Sequence, residues 1–566
     1  MAKKPLKYIF VAGGVMSGVG KGIASASIGK ILQARGFEVT ALKIDPYINV
    51  DAGTMNPTEH GEVFVLDDGT ECDQDMGNYE RFLNRDLSKL NYMTTGSVYL
   101  SVINRERNLE YQGKCVEVIP HIPLEVFGRI DKAASHQGAD IVITEIGGTV
   151  GEYQSALFLE AVRMLKLKRP EDVLLVLVSY LPWQGKESEL KTKPTQYAVR
   201  TLNAAGLQPD MVIARARVPL DKKRKEKIAF FCNVNEQAII SAPDIESIYE
   251  VPLNFEKDNL SALVLGKLNL KPRSRDLREW QALVRRIKSA KKPVKIGMVG
   301  KYFGTGDFIL ADSYISVIEA IKHASYQLKV KPEITWIDAA EFDPKENSGW
   351  KTALKKLDGF QGIIVPGGFG SRAVEGKIAA INYCRTRKIP YFGLCYGMQL
   401  ATVEFARNAA HLPDANTTEI DPKTPHPVID ILPEQKKLMA EKNYGATMRL
   451  GAYPAVLALN TIAHTAYSSA RHSESRLAGR RISSVISERH RHRYEINPLY
   501  IQRLEKKGLI FSGFSRDRRL MEIAELPRDK HPFFLGTQFH PELKSRPLNP
   551  HPLFIEFIKA AIGLRR

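Results

Sequence analysis

A short segment around Cys395 constrains the fold more than any other part of the chain. The apolar run Phe392-Gly393-Leu394 meets Cys395 and is followed by Tyr396-Gly397 and then by helix-forming residues. This Gly-x-Cys-x-Gly pattern predicts a strand, a sharp turn and a helix, because only small flanking residues tolerate the strained turn that exposes a nucleophile. The turn also places the sulfur near a helix N-terminus, which favours a thiolate. The segment therefore predicts an α/β sheet with a reactive cysteine at its edge.

A base and an orienting carboxylate follow far downstream, in His540-Pro541-Glu542. Nucleophile, base and carboxylate in this order are compatible with acyl transfer. Gln399 and Glu419 are close enough to Cys395 in sequence to line the same pocket. The alternative is that Cys395 is only a small buried hydrophobe, as most single cysteines are. The elbow and the His-x-Glu pair together favour catalysis.

With the loop Val365-Pro366-Gly367-Gly368-Phe369-Gly370, these residues resemble the class I, triad-type glutamine amidotransferases. The resemblance implies that the backbone N–H groups of Gly368 and Tyr396 form an oxyanion hole. It also implies that this half of the chain releases ammonia from glutamine.

The N-terminus carries a second glycine-rich turn. The apolar run Tyr8–Ala12 leads into residues 13–22 and then into a helical pattern. Such a loop directs backbone N–H groups at phosphate oxygens, and its lysine reaches the terminal phosphates. A signal peptide is the alternative, but the apolar run is short and lacks a small-x-small cleavage site. We therefore expect an ATP phosphate site made by Ser17, Gly18, Val19, Gly20, Lys21 and Gly22.

The loop departs from the usual pattern at Gly22, which stands where Ser or Thr would ligate magnesium. The ligands of Mg²⁺ must then come from elsewhere. Asp75 and Glu145 are the candidates. Glu145 is favoured because a buried strand over 140–144 ends on it, at the edge of a parallel sheet where ligands bind.

The chain is long enough for two hydrophobic cores. It has 566 residues and 44% hydrophobic content, and no stretch approaches the ~18 uninterrupted apolar residues of a membrane span. Paired cysteine spacing is absent, which argues against a disulfide framework or a zinc site; the five cysteines are Cys72, Cys115, Cys232, Cys384 and Cys395. We expect a soluble, cytoplasmic protein with no membrane partner.

The net charge of +18 raises the alternative of nucleic-acid binding, with basic runs at 222–225 and 489–493 as candidate patches. The other basic residues are scattered, and no recognition motif or repeat is present. An enzyme that binds several polyanionic nucleotides also needs an electropositive interior. We therefore expect no nucleic-acid partner.

Strand-like and amphipathic segments alternate in both halves, which predicts two doubly wound α/β domains. The strand-like runs are Lys7–Ala12, Val39–Ile44, Ile141–Thr144, Val173–Val178 and Met211–Ala214, and then Ile296–Val299, Ile334–Ile337, Ile363–Val365, Tyr391–Leu394 and Phe533–Gln538. We expect a phosphate-loop synthetase domain at 1–270, a linker with a helix near Trp280 at 271–293, and a triad glutamine amidotransferase domain at 294–566. The stretch 461–487, rich in Ser, Ala and Arg, is expected to be a surface excursion.

From about residue 5 to its end, the chain resembles the CTP synthase family. The matching segments are Lys43–Asp51, His60–Val65, Glu145–Gly151, Lys191–Gln196 and Glu488–Glu495. The resemblance implies that ATP phosphorylates O4 of UTP, that ammonia from glutamine attacks C4, and that phosphate leaves to give CTP.

The resemblance also implies a role for each matching residue. Lys21 and Lys43 would stabilise the transferring phosphoryl group, together with Mg²⁺ held by Asp75 and Glu145. The UTP and CTP site would comprise Ser17, Glu117, Gln154, Lys191, Gln196 and Lys227, and His60 would lie on the ammonia route. Glutamine would be held by Gln399, Glu419 and Arg493, the last through a bidentate fork. Taken singly, such lysines are usually solvated and such carboxylates often form ion pairs.

The family further implies a homotetramer, GTP as allosteric activator and CTP as feedback inhibitor. Three positions depart from its pattern. Ala373 replaces a glycine beside the GTP-responsive lid and so loses φ freedom, which weakens the case for GTP activation. Glu117 and Gln154 stand where the family has Gln and Glu, and we hypothesise that they form a compensated pair in the pyrimidine site.

Two alternatives remain open at this point. Another fusion of a phosphate-loop synthetase with a triad amidotransferase, such as a cobyrinic acid amide synthase, would amidate a carboxylate. The segment Lys191–Gln196 argues against it. The other alternative is a nucleotide switch or nucleic-acid-binding protein with a decayed glutaminase, and intact Cys395, His540 and Glu542 argue against decay.

Overall fold

The computed structural model describes residues 6–56, 61–184, 189–274, 276–300, 304–305, 308–309, 311–368, 370, 372–432, 435, 447–475 and 485–563. The strands are β1 Lys7–Gly14, β2 Val39–Asp45, β3 Val63–Val65, β4 Glu71–Asp73, β5 Tyr92–Thr94, β6 Ile141–Ile146, β7 Val173–Tyr180, β8 Trp183–Gln184, β9 Glu189–Leu190, β10 Met211–Ala216, β11 Ile239–Pro243, β12 Lys292–Gly300, β13 Gly304–Thr305, β14 Phe308–Ile309, β15 Val330–Asp338, β16 Gly362–Val365, β17 Tyr391–Leu394, β18 Asn416–Thr417, β19 Pro427–Ile431, β20 Arg449–Leu457, β21 Val485–His492, β22 Tyr494–Ile496, β23 Ile510–Phe514, β24 Met521–Glu525 and β25 Phe534–Thr537. The α-helices are α1 Lys21–Ala34, α2 Asp75–Leu83, α3 Thr95–Arg107, α4 Val118–Gln137, α5 Ala156–Lys168, α6 Lys193–Ala204, α7 Lys222–Cys232, α8 Val251–Phe255, α9 Leu260–Lys267, α10 Arg278–Ser289, α11 Ile315–Gln327, α12 Trp350–Ala353, α13 Val374–Arg387, α14 Tyr396–Asn408, α15 Ile462–Ser475, α16 Pro498–Glu505 and α17 Pro552–Ala561.

The chain forms two compact units, which the sequence does not divide contiguously. The first comprises Met1–Ala52 and Asp75–Val284, and the second comprises Gly53–Gln74 and Arg285–Arg566. The helix expected near Trp280 is α10, and its first half belongs to the first unit. The Trp280 indole is buried and donates a hydrogen bond from Nε1 to the carbonyl of Tyr249 at 2.8 Å.

The first unit is built on a seven-stranded sheet in the order β11-β10-β7-β1-β6-β2-β5, in which every adjacent pair is parallel. Strands β1, β2 and β6 are buried along their whole length, as is usual for parallel strands covered on both faces. The chain builds one side of β1 with β2, β5 and β6 before it crosses to β7, β10 and β11. The carboxyl end of β1 is therefore the topological switch point, where ligands of such sheets bind.

The second unit is built on a nine-stranded sheet in the order β15-β12-β16-β17-β25-β24-β23-β20-β21. The strands from β15 to β25 are parallel and the rest are antiparallel. Neighbouring residues of β17 face opposite cores, Tyr391 in one and Phe392 in the other. The prediction of two α/β units is confirmed, and the sheet of the second unit is mixed, with its antiparallel strands on the side of β24. In the described part of the chain, no helix is long and apolar enough to cross a bilayer.

The prediction that 461–487 is a surface excursion is wrong for the residues that the structure describes, 461–475 and 485–487, and the remainder lies outside the described residues. Most of its described residues form α15, whose Ile462, Ala463 and Ala466 are at most 2% exposed and pack into a core of the second unit. Strand β21 then begins at Val485. Small Ala and Ser side chains carry little hydropathy, so the pattern of a buried helix is weak in the sequence. Glu525, at the end of β24, caps the N-terminus of α15. Its carboxylate accepts the N–H groups of Ile462 (2.6 Å) and Ala463 (3.1 Å).

The basic run 489–493 is also an interior feature. Arg489, His490 and His492 of β21 are at most 1% exposed. Burial lowers the pKa of both histidines well below the usual value, and the neighbouring Arg449 charge adds to the effect. This run is therefore part of the sheet and cannot serve as a surface patch for nucleic acid.

We expect Glu525→Gln to destabilise the second unit. One of the two N–H groups at the start of α15 would face an amide NH₂ instead of a carboxylate oxygen, and an unsatisfied buried donor costs about 1–3 kcal/mol. At about 2–4 °C per kcal/mol for a unit of this size, the melting temperature should fall measurably in a thermal shift assay. Glu505→Gln, an exposed position on α16, is the control. Equal melting temperatures for Glu525→Gln and the control would contradict the capping role.

Candidate active sites

Cys395 sits on the turn between β17 and α14, in a backbone conformation that few residues adopt. Its φ is 49° and its ψ is −99°. The flanking glycines are required by close packing, since a Cβ at Gly397 would overlap the carbonyl oxygen of Val365 and a Cβ at Gly393 would lie 2.6 Å from the Tyr391 hydroxyl. The expected strand, strained turn and helix are therefore present.

His540 and Glu542 lie at the same site. The Nδ1 atom of His540 is 2.7 Å from Oε1 of Glu542. Burial disfavours the imidazolium, yet the charges of Glu542 and Cys395 outweigh it and raise the pKa of His540 to about 10. A positively charged imidazole beside a cysteine favours the nucleophilic, ionised form of the sulfur, which is how such nucleophiles are activated.

The sulfur of Cys395 has two further neighbours. Nε2 of Gln538 donates to Sγ at 3.6 Å, and the carbonyl oxygen of Arg491 lies 3.9 Å from it. Cys395 itself is 4% exposed. The sulfur is therefore shielded and oriented, and Cys395 lines a cavity of about 330 Å³.

That cavity belongs wholly to the second unit, although part of its wall is encoded in the N-terminal half of the sequence. Its lining includes Cys395, His540 and Glu542, the loop glycines Gly367 and Gly368, Arg491 and Arg493, and also Gly53, Thr54, Met55, Glu62 and Val63. Sequence reasoning missed the contribution of 53–63, because nothing in its composition links it to the cysteine. His60, the residue assigned to the ammonia route, lies outside the described residues.

The residues expected to hold glutamine divide into two groups. Gly368 and Arg493 line the cavity, and the Arg493 guanidinium donates to Gln435 Oε1 and to Thr447 Oγ1 at 3.0 Å. Gln399 and Glu419 surround the cavity instead of lining it. Nε2 of Gln399 donates to the carbonyl of Tyr494 at 3.0 Å, and Oε1 of Glu419 accepts the N–H of Gly370 at 2.8 Å.

Ala373 directly precedes α13 and has a backbone conformation that favours glycine. Its φ is 52° and its ψ is 32°, in the left-handed region, and its side chain is 3% exposed. A left-handed conformation costs an L-residue with a Cβ roughly 1–2 kcal/mol. The position is therefore strained, and it is held by the packing around it.

The phosphate loop of the first unit connects β1 to α1. Gly18 and Gly20 have φ values of 68° and 91°, which a side chain would disfavour. Lys21 is buried, which lowers its pKa, and Nζ donates to the carbonyl of Gly148 at 2.7 Å. The departure at Gly22 also has a physical reason, because a Cβ there would overlap Oδ1 of Asp75. The glycine thus leaves room for the carboxylate that was expected to replace the missing hydroxyl.

Lys43, Asp75 and Glu145 form a buried cluster beside this loop. Lys43 and Glu145 are paired in register on β2 and β6, and Nζ of Lys43 lies 2.6 Å from Oδ2 of Asp75 and 2.8 Å from Oε1 of Glu145. Burial, with the charge of Asp75, raises the pKa of Glu145. At Asp75 burial opposes ionisation, but the Lys43 charge lowers the pKa. Two carboxylates on one ammonium group suit Mg²⁺, which proteins bind with one or two carboxylates plus substrate phosphates.

The side chains assigned to the pyrimidine nucleotide are mostly at the surface of the first unit. Ser17, Glu117, Gln154 and Lys227 are exposed, and Nζ of Lys191 lies 2.5 Å from Glu189. Gln196 is buried and donates from Nε2 to Thr192 Oγ1 at 3.0 Å.

A second cavity, of about 300 Å³, adjoins the phosphate loop in the first unit. Its wall is largely apolar, with Gly20, Ile23 and Ala24 on one side, and it carries the polar groups of Arg215 and Asp244. Nη2 of Arg215 donates to Oδ1 of Asp244 at 3.0 Å. An apolar slot with a few polar groups beside a phosphate loop suits a heteroaromatic base. Sequence reasoning missed these residues; their position at the carboxyl ends of β10 and β11 was the available signal.

Two family models match the chain. The one described as "CTP synthase N-terminus" matches residues 7–270, and the one described as "Glutamine amidotransferase class-I" matches residues 309–560.

Relatives match over nearly the whole chain. A CTP synthase of Caldanaerobacter subterraneus subsp. tengcongensis is 49% identical over 560 residues, which is 99% of each chain. A CTP synthase of Thermococcus gammatolerans is 51% identical over 98% of each chain, and one of Methanococcus maripaludis is 49% identical over 98% of this chain and 100% of its own. The chain therefore belongs to the CTP synthase family.

Proposed function

We propose that this chain makes CTP from UTP, with ATP to activate the pyrimidine and glutamine to supply the nitrogen. One observation carries the proposal. A histidine–glutamate pair that shares a cavity with a cysteine occurs in the same chain as a phosphate loop backed by Lys43, Asp75 and Glu145. The first set suits the release of ammonia and the second suits phosphoryl transfer, and together they define a glutamine-dependent amidoligase.

In the glutaminase half, the Cys395 thiolate attacks the amide carbon of glutamine. The N–H groups of Gly368 and Tyr396 hold the developing oxyanion. His540 gives its proton to the leaving ammonia and then activates the water that hydrolyses the thioester, with Glu542 holding the ring. Arg493 pairs with the α-carboxylate of glutamine, and Gln399 and Glu419 shape the site around its α-amino group.

In the synthetase half, Lys21 and Lys43 stabilise the phosphoryl group as it passes from ATP to O4 of UTP, with Ser17 to Gly22 around the phosphates. Ammonia then attacks C4, and phosphate leaves as CTP forms. Mg²⁺ held by Asp75 and Glu145 would neutralise phosphate charge. Glu117, Gln154, Lys191, Gln196 and Lys227 recognise the pyrimidine nucleotide, and His60 lies on the ammonia route.

The regulatory and cellular part of the proposal is a cytoplasmic homotetramer that GTP activates and CTP inhibits. Exposed apolar side chains on and beside α3 and α4 support self-association. The exposed fractions are 44% for Leu100, 52% for Ile103, 49% for Val118 and 52% for Leu124. A chain with such a surface is expected to bury it against another copy.

The proposal is tested with purified protein, UTP, ATP, magnesium and either glutamine or ammonium, with CTP measured by chromatography. Formation of CTP from both nitrogen sources is expected. The competing assignment, an amide synthase that acts on a carboxylate, would give ATP hydrolysis without CTP.

Cys395→Ala should lower glutamine-dependent CTP formation by at least about 1,000-fold, because the nucleophile is lost. CTP formation from ammonium should be unchanged, since external ammonia bypasses the glutaminase. Cys384→Ala, at a buried thiol on α13, is the matched control and should keep both activities. Loss of the ammonium reaction in a folded Cys395→Ala protein would refute the division into two sites.

Asp75→Asn and Lys21→Met should each lower CTP formation from both glutamine and ammonium by about 100-fold or more, because phosphoryl transfer precedes amination. Glu171→Gln, an exposed position in the same unit, should leave both rates unchanged. Steady-state rates at saturating UTP provide the measurement. Substantial ammonium-dependent turnover in either variant would remove that residue from the phosphoryl site.

Ala373→Gly should increase the stimulation of glutamine-dependent CTP formation by GTP. Glycine occupies the left-handed region without strain and also leaves it freely, so the segment before α13 can change conformation at lower cost. The ratio of rates with and without GTP is the measurement. Ala379→Gly, in the ordinary helical backbone of α13, is the control and should only destabilise the fold, by about 1 kcal/mol. If the ratio of rates with and without GTP is the same in Ala373→Gly and wild type, residue 373 does not limit the response to GTP.

A further inference from the structure

A short acidic hairpin from the N-terminal half of the sequence packs in the second unit. The acidic hairpin comprises residues 61–74, with β3 and β4 paired antiparallel, and its carboxylates include Glu62, Asp67 and Glu71. Its turn fits closely on β20: the N–H of Ala452 donates to the carbonyl of Asp67 at 2.9 Å, and a Cβ at Gly451 would lie 2.6 Å from the amide nitrogen of Gly69. The hairpin is thus held at a defined position on the edge strands of the large sheet.

Two of these carboxylates pair with arginines on β21. Oδ1 of Asp67 accepts Nε of Arg489, and its Oδ2 lies 3.2 Å from Nζ of Lys544. Oε1 of Glu71 accepts Nε of Arg491 at 2.8 Å. Burial opposes ionisation of Asp67, but Arg489 and Lys544 outweigh it and lower the pKa. The Glu71–Arg491 pair is largely buried and therefore poorly screened, whereas in the other pair Arg489 is buried and Asp67 is 37% exposed.

The backbone of the same two arginines touches the catalytic residues. The carbonyl of Arg489 accepts the N–H of His540 at 2.8 Å, and the carbonyl of Arg491 lies 3.9 Å from the sulfur of Cys395. Each arginine thus holds a hairpin carboxylate through its side chain and faces the base or the nucleophile through its main chain. A shift of β21 would move both carbonyls.

The remaining carboxylate ties the hairpin to a third element of the site. Both oxygens of Glu62 lie 3.2 Å from the N–H of Ser316, in the first turn of α11. Glu62 and Val63 also line the cavity that contains Cys395. The hairpin is therefore both a wall of the cavity and a brace for the strand behind it.

We propose that Glu71 and Asp67 are positioning residues of the glutaminase, which hold β21 in the place where the carbonyls of Arg491 and Arg489 align Cys395 and His540. This inference rests on the proposed function for its activity readout. Neither carboxylate touches substrate, and each acts through its arginine. Loss of one carboxylate charge would remove an ion pair of the arginine and let this part of β21 shift.

The test compares Glu71→Gln and Asp67→Asn with Asp68→Asn. Asp68 is an exposed carboxylate in the turn of the same hairpin, whose contact with the N–H of Thr70 an amide oxygen can keep. Glutamine-dependent kcat should fall about 10–100-fold in Glu71→Gln and Asp67→Asn, since small displacements of reacting groups have effects of this size. CTP formation from ammonium should be unchanged in all three, and Glu71→Asp should recover part of the loss.

A second readout does not depend on CTP formation. The rate of Cys395 alkylation by iodoacetamide, followed for its own peptide by mass spectrometry, should fall in Glu71→Gln and stay at the wild-type value in Asp68→Asn, because the thiolate and imidazolium are no longer aligned. Wild-type protein that makes no CTP would sink the proposed function, and the alkylation rates would still decide this inference. Wild-type alkylation and glutaminase rates in both Glu71→Gln and Asp67→Asn would overturn it, as would equal loss of the ammonium reaction, which would indicate general misfolding.

Discussion

The strained turn at Cys395 is the constraint on which the second unit depends. A residue with a side chain at φ 49° and ψ −99° is stable only if its surroundings determine its position. Here β17 lies between β16 and β25 in the middle of the sheet, the N–H of Cys395 donates to the carbonyl of Thr537 at 2.6 Å, and Gly397 packs against Val365 with no room for a methyl group. The same packing places Cys395 on the cavity that His540 and Glu542 also line, so the contacts that hold the strained turn also position the nucleophile.

Buried charge is the second recurring constraint, and each unit handles it in a similar way. Lys43 is placed between Asp75 and Glu145 in the first unit. In the second unit, Arg449 is placed between Glu495 and Glu522, at 3.0 Å and 2.7 Å. In both clusters a cation lies among carboxylates, and burial raises the pKa of one of them, Glu145 or Glu495. Buried charges of this kind are tolerated because they are paired.

Sequence reasoning located the features that leave a local pattern in the chain. Glycine spacing revealed the turn at Cys395 and the phosphate loop, and strand-end position revealed Glu145. What it missed depends on long-range contacts. The cap of α15 comes from Glu525, which the Ser- and Ala-rich sequence of the helix does not reveal. The run 489–493 has the composition of a basic surface patch, but Asp67 and Glu71 from a distant segment pair with Arg489 and Arg491, and burial lowers the pKa of His490 and His492.

The acidic hairpin shows that a boundary drawn along the sequence does not separate the residues of one site from those of the other. Residues 53–74 lie between β2 and α2, inside the segment 7–270 that matches the N-terminal family model, yet they form part of the wall around Cys395. Asp75, a carboxylate of the phosphoryl cluster, follows Gln74 directly in the chain. The cysteine, histidine and glutamate are encoded within 309–560, but the charges that brace β21 behind them are not. A complete glutaminase therefore needs residues from both halves of the sequence, although all of its walls belong to one unit of the fold.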